Sequence, residues 1–256
     1  MNEVLSTFRR EARTLVWPGG VTDARPHTTW RQVDGGAGVL IMAHDLSEAN
    51  VDAVIQAEIA ECRRLQLPFE WKVFSFDEPA DLLERLVAAG LTAGEREAIV
   101  VYDVHNGPLE AHASDEVYRV DTLERLEDFR MVAEEVFERD YSMTTSLLAE
   151  AIRTGQKGHD AYVAYVNGVP ASVGRLYTHP ESEFAGFYGG GTRKGYRGHG
   201  LYRAVVAARA RDAAAFGARY LQVDALPTSL PILLRLGFVH LADTWPCTQD
   251  EPTYFT

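Results

Sequence analysis

The chain has 256 residues, 46% of them hydrophobic, and a formal net charge of −12 at pH 7. That length suits one large core or two ordinary ones, since domains commonly run ~100 to 150 residues, and no apolar run approaches the ~20 residues of a membrane span. The acidic balance argues against a nucleic-acid partner, because a duplex binder needs a basic face to release counterions. The opening MNEVLSTFRREARTLVW is charged throughout rather than built as a signal peptide, so the expectation is a cytoplasmic protein with no membrane partner. Two cysteines, Cys62 and Cys247, are too few for a disulfide framework and lack metal-ligand spacing. The histidines form no HxH or HExxH pattern, and no metal site is expected.

Residues 1 to about 30 read as an amphipathic helix and then a loop carrying Pro18-Gly19-Gly20 and Pro26. Gly38 to His44 is a buried strand, and Ser47 caps a helix from Glu48 to about Leu65 with apolar residues at Val51, Val54 or Ile55, Ile59 and Cys62. Phe69 to Phe76 is a second strand, Pro79 starts a helix ending at Ala89-Gly90-Leu91, and Ala98 to Val104 is a third strand. Asn106-Gly107-Pro108 and the polar run to Glu116 form a turn-rich linker.

Beyond the linker come a short strand at Val117 to Val120, a helix from Leu123 to Asp140, and another from Thr144 or Thr145 to Arg153. Strands at Asp160 to Val166 and Pro170 or Ala171 to Tyr177 flank Asn167-Gly168, the strongest hairpin dipeptide in the chain. A third strand, Glu183 to Gly191, runs into three consecutive glycines, Gly189 to Gly191. The chain then turns through Tyr196-Arg197-Gly198-His199-Gly200 into a helix with apolar residues at Leu201, Val205 and Ala208. A strand, a glycine-bearing turn and a helix N-terminus make a place to hold an anion, with backbone N–H groups converging ahead of the positive end of the helix dipole. Gly198 and Gly200 let a ligand approach the backbone because no Cβ intervenes, and a pyrophosphate is the natural guest.

Arg197-Gly198-His199-Gly200-Leu201 resembles the acyl-coenzyme-A signature of the GCN5-related N-acetyltransferase (GNAT) superfamily, Gln/Arg-x-x-Gly-x-Gly/Ala. Tyr220 to Asp224 and Arg235-Leu236-Gly237-Phe238 match that family's closing elements in order and spacing, and the likeness covers roughly Val117 to Cys247. Tyr202 departs from it, standing where the family usually has Gly or Ala. The resemblance implies an α+β fold with a mixed, mostly antiparallel sheet flanked by helices.

The first half repeats the order strand, helix, strand, helix, strand. Glu78-Pro79 to Gly90-Leu91 lines up with Leu226-Pro227 to Gly237-Phe238 with one extra residue, and Trp71 to Phe74 lies where Tyr220 to Val223 lies. We read an internal repeat, the alternative being a chance likeness of two such segments. The expected arrangement is two tandem GNAT-like domains, 1–110 a degenerate copy without a cofactor site and 117–256 the acetyl-coenzyme-A-binding domain. The first copy has His44-Asp45-Leu46-Ser47-Glu48 at the decisive turn, with no glycine and with two carboxylates that would repel a pyrophosphate.

The resemblance implies acetyl transfer from acetyl-coenzyme A to a primary amine of a small acceptor by direct attack in a ternary complex, with no metal. The cofactor's pyrophosphate would sit on the N–H groups of Arg197, Gly198, His199, Gly200, Leu201 and Tyr202, and its pantetheine arm would pair with backbone near Gly190, Gly191 and Thr192. Many family members supply a proton donor from a Tyr four residues before the Gly of Leu-Gly-Phe, where this chain has Leu233, and a carboxylate base near Phe187. Tyr188 and Asp224 are the nearest polar candidates for catalysis, each with a packing or turn role as its alternative. Because both usual residues are missing, the rival reading is a non-catalytic coenzyme-A-binding sensor or interaction protein. A homodimer is an allowed assembly.

Overall fold

The computed structural model describes residues 2–15, 21–33, 38–107 and 109–249. The chain divides into two compact units, neither continuous in sequence. Unit 1 gathers 1–100, 224–235 and 240–256; unit 2 gathers 101–223 and 236–239.

Unit 1 opens with helix α1 (Asn2–Thr14), then strands β1 (Thr22–Ala24), β2 (Thr28–Val33) and β3 (Gly38–Ala43), helix α2 (Val51–Leu65), β4 (Phe69–Phe74), α3 (Leu82–Ala88), β5 (Thr92–Ala93) and the first part of β6 (Glu97–Asp103). The loop expected up to about residue 30 is in part a hairpin, β1 pairing antiparallel with β2 and β2 with β3, while its Pro18-Gly19-Gly20 segment lies outside the described residues. What holds it is a buried carboxylate: Glu58 of α2 accepts from Thr28 Oγ1 at 2.6 Å, Trp30 Nε1 at 2.8 Å and Arg25 Nε. An unpaired carboxylate there would be costly, so the three donors tie hairpin and helix together. Helix α2 starts later than the sequence suggests. Asn50, not Ser47, is the capping position, because residues 48–50 form a turn in which the Ser47 N–H donates to Asn50 Oδ1 at 2.7 Å.

Strand β4 pairs parallel with β3 and antiparallel with β12 (Val239–Thr248), with Trp245 opposite Val73 and Cys247 opposite Trp71. Trp71, Ile41, Val51, Ile55, Ile59, Leu86 and both thiols, Cys62 and Cys247, form the core beneath α2. Both cysteines are unpaired, and burial pushes each thiol up to about 12.

Unit 2 contains β7 (Val117–Arg119), α4 (Leu123–Phe137), α5 (Ser142–Thr154), β8 (His159–Val166), β9 (Val169–Tyr177), β10 (Phe184–Thr192), α6 (Leu201–Phe216) and β11 (Tyr220–Ala225) through Val223. Helix α7 (Leu230–Arg235), between β11 and β12, belongs to unit 1. The unit 2 strands lie in the order β11-β10-β9-β8-β7, with β10 and β11 parallel and the rest antiparallel. Asn167 and Gly168 have φ of 50° and 77°, the two positive angles that a tight hairpin turn requires. Alternate residues of a strand face opposite sides, so Ala161, Val163 and Val173 pack with Phe129, Val132, Tyr141 and Leu148 of the α4–α5 side. Gly174 instead faces α6, where a Cβ would come within 2.9 Å of Val205.

Candidate functional site

Strand β10 is where the sheet of unit 2 opens. It pairs with β11 only from Phe184 opposite Tyr220 to Gly186 opposite Gln222. Along its other edge Tyr188 faces Arg175 and Gly191 faces Val173, so Gly189 and Gly190 together oppose the single residue Gly174. That is a bulge of one extra residue, and Gly189 takes the left-handed φ of 53° that makes it possible. The glycines are also needed for space. A Cβ on Gly191 would stand 2.5 Å from Val136 of α4, and one on Gly190 would stand 3.1 Å from the Tyr202 ring. The backbone amides of a bulged strand that has left one neighbour are available to an amide-bearing ligand.

The end of β10 is held firmly. Ser172 Oγ bonds Gly191 O and Thr192 Oγ1, each at 2.8 Å, and Arg193 reaches Pro170 O and the Glu135 carboxylate of α4. A short 3-10 turn over Lys194–Tyr196 then brings in Arg197, whose Nε donates back to Thr192 O at 3.1 Å. Gly198 and Gly200 both have φ near 80°, at 82° and 81°, and a Cβ built on either would meet no atom within 4 Å. The space over this turn is open, and the conformation is one that residues with a Cβ adopt at a cost. Among the described residues no side chain caps α6, and its intrahelical ladder begins with the Ala204 N–H donating to Gly200 O at 3.0 Å. His199 is exposed, with Nδ1 3.3 Å from Tyr196 O. Thus Gly190, Gly191, Thr192, Arg197, Gly198, His199, Gly200, Leu201 and Tyr202 follow one continuous path along unit 2, from the bulge to the first turn of α6.

The two catalytic candidates are separated by the division of the chain. Tyr188 is in unit 2, folded back over Gly186 and packed edge-on against the Tyr177 ring at 5.0 Å. Asp224 is counted with unit 1, where its Oδ2 lies 2.5 Å from Lys72 Nζ. Glu97 Oε2 stands 3.7 Å from the same ammonium, and Glu70 also acts on it. Burial would drive the Lys72 ammonium toward its neutral form, but the carboxylates outweigh it and raise its pKa. Burial, then the neighbouring carboxylates working against Lys72, pushes Glu97 up to about 7. Leu233, at the position where the resemblance implies a tyrosine, is wholly buried.

Sequence reasoning missed Arg209. It lies on α6, 1% exposed, with Nη1 donating to Arg175 O at 3.0 Å, Nε to Val205 O at 3.3 Å, and its guanidinium 4.3 Å from the centre of the Phe187 ring. A Cβ on Gly174 would be 2.8 Å from its Cζ, so that glycine makes the room it occupies. The available signal was that Arg209 falls four residues after Val205, on the apolar face of α6, unlike Arg203 and Arg211.

Among the described residues no three His, Cys, Asp or Glu side chains gather as a metal site, and no helix is long and apolar enough to cross a membrane. No protein-family model and no curated protein matches the sequence. Solved structures do resemble it. A GCN5-related N-acetyltransferase from Kribbella flavida superposes with a TM-score of 0.70 at 15% identity, over 98% of this chain and 95% of the other. A conserved protein of unknown function from Staphylococcus epidermidis gives a TM-score of 0.67 at 14% identity, over 90% and 93%. A tandem GNAT protein from the clavulanic acid biosynthesis pathway gives 0.56 at 13%, over 93% and 86%. The chain therefore has the fold of the GCN5-related N-acetyltransferases, an α+β architecture with a mixed sheet flanked by helices.

Proposed function

We propose that this protein is an N-acetyltransferase that transfers the acetyl group of acetyl-coenzyme A to a primary amine of a small acceptor by direct attack. The observation that carries the reading is the continuity of an opened strand with an open turn. Strand β10 leaves β11 after Gly186, bulges at Gly189 and Gly190, and runs into two positive-φ glycines before an uncapped helix. Bound there, acetyl-coenzyme A would supply an activated thioester. The amides from Arg197 to Tyr202, with the α6 dipole behind them, would hold its pyrophosphate, and the backbone of Gly190 to Thr192 would align its amide-bearing arm. An N–H at the bulge would polarise the acyl carbonyl.

The acceptor must reach the site as a neutral amine. Tyr188 is the nearest polar side chain on the bulged strand, and Asp224 enters the proposal as a carboxylate already held by Lys72. With Leu233 in place of a tyrosine donor, a thiol of pKa near ~8.5 can still leave as thiolate. We further propose that residues 1–110 are a degenerate copy of the fold that binds no cofactor and that 117–256 carry the transferase.

Leu233 also motivates the second reading, a coenzyme-A-binding sensor without chemistry. Calorimetric titration with coenzyme A, followed by a thiol-release assay against polyamines, amino acids, aminoglycosides and peptides, decides between them. Turnover with any amine supports the transferase, binding with silence across the panel supports the sensor, and absence of binding removes both.

A further inference from the structure

Among the described residues Arg209 is a buried cation with no carboxylate within ion-pair distance. Its surroundings are two backbone carbonyls, the Phe187 ring, the tyrosines Tyr202 and Tyr162, and a second cation, Arg175, whose Nε lies 3.2 Å from where a Cβ on Gly189 would be. Burial pulls the guanidinium down only to about 10, so it stays charged at neutral pH. Enclosing an unpaired charge costs several kcal/mol unless something else satisfies it. Nε and Nη1 are used by Val205 O and Arg175 O. Nη2 makes no hydrogen bond among the described residues; it lies 3.3 Å from where a Cβ on Gly190 would be, beside one of the two strand residues, Gly189 and Gly190, that oppose Gly174 at the bulge.

We propose that the Nη2 edge of Arg209 faces the sulfur end of the coenzyme-A path and supplies the positive charge that holds the leaving thiolate. This deepens the acetyltransferase reading and rests on it. In the transfer the amine nitrogen bonds to the acyl carbon, the carbon–sulfur bond breaks with its electron pair going to sulfur, and the ammonium proton passes to water. Negative charge develops first on the acyl oxygen, which the bulge N–H would meet, and then on sulfur as the carbon–sulfur bond breaks, where a fixed cation at Gly190 offsets it without any hydroxyl acid. The missing tyrosine at position 233 and the unpaired cation at 209 then have one explanation.

The test uses the full chain saturated with coenzyme A and follows the thiolate absorbance in the ultraviolet as pH is raised. The bound thiol is expected to titrate at least about one pKa unit below the free thiol, a tenfold gain in thiolate near neutrality. Arg209→Met is expected to return it to the free value while the calorimetric affinity changes less than about threefold, since most binding energy comes from the phosphate end. Arg209→Gln, which keeps a donor for Arg175 O but no charge, gives the same result if the methionine variant does not fold. A bound thiol that titrates like the free one, or a depressed value that survives in the uncharged variants, overturns the role of Arg209 and leaves the transferase reading standing. Failure of the wild type to bind coenzyme A sinks both.

Discussion

The turn that leads into α2 and the turn that leads into α6 occupy corresponding places after parallel-paired strands, yet one is closed by its own side chain and the other is open. In unit 1, β3 stays paired with β4 from Val39 to Met42, and the turn closes on itself through Asn50, which bonds the Ser47 N–H and Asp45 O. Glu48 and Asp52 are gathered there by Arg85. In unit 2, β10 leaves its neighbour after three residues, and the turn is left open at Gly198 and Gly200. Neither helix start is capped by a side chain among the described residues; the difference lies in the turn ahead of it, which in unit 1 is closed by Asn50 bonding Ser47 and Asp45 and in unit 2 is open above Gly198 and Gly200.

The buried cations repeat the contrast. Lys72 is neutralised within unit 1 by Asp224, Glu97 and Glu70, whereas Arg209 of unit 2 has, among the described residues, carbonyls, rings and the like charge of Arg175. A buried charge that meets its counter-charge inside the protein serves the fold; Arg209, which has none among the described residues, is the one to which we assign a ligand-facing role.

The largest expected effect comes from breaking the internal pairing. Lys72→Met leaves three buried carboxylates without their cation and should lower stability by about 3 to 5 kcal/mol, read from urea midpoints at pH 7. Unchanged stability would mean the carboxylates already carry protons. Next is the open turn. Gly198→Glu or Gly200→Glu adds both a Cβ at a left-handed φ and a carboxylate facing the phosphates, and should weaken coenzyme-A binding by about 100-fold or more in calorimetry while the thermal midpoint moves only a few degrees. Retained affinity would separate the turn from the cofactor.

A smaller effect concerns Glu97. Its folded pKa lies above its unfolded value, so the folded state binds the extra proton between about 4.5 and about 7 and stability falls as pH rises through that window. Glu97→Gln, which mimics the protonated form, should therefore match wild type near pH 5 and melt a few degrees higher at pH 9, by calorimetric scans. Equal midpoints at both values would mean Lys72 fully compensates Glu97. The smallest effect is expected at the closed turn, where Asp45→Asn and Glu48→Gln should leave coenzyme-A affinity within about twofold. A clear gain in affinity would reveal a second cofactor site in unit 1.

Much of the fold was legible because the deciding interactions are local. The Asn167-Gly168 hairpin, the apolar spacing of α2, α4 and α6, and the run from the triple glycine to Gly200 are each specified by neighbours a few residues apart, through φ preference and helical or strand period. Even so, Ser47 misled as a cap, because Asn50 offers its side chain three residues on and restarts the helix there.

Residue order alone set where the backbone can bend left-handed, where most helices and strands run, and which turn carries glycines without a Cβ at alternate positions; these follow from steric limits on single residues. Tertiary structure alone decided that Glu58 fastens a hairpin, that β12 joins β4, that Asp224 belongs to Lys72, and that Arg209 is buried without a carboxylate. Those pairings span from 28 to more than 150 positions along the chain, and no periodic pattern encodes them. They come from which surfaces must be buried together and which charges must then be answered.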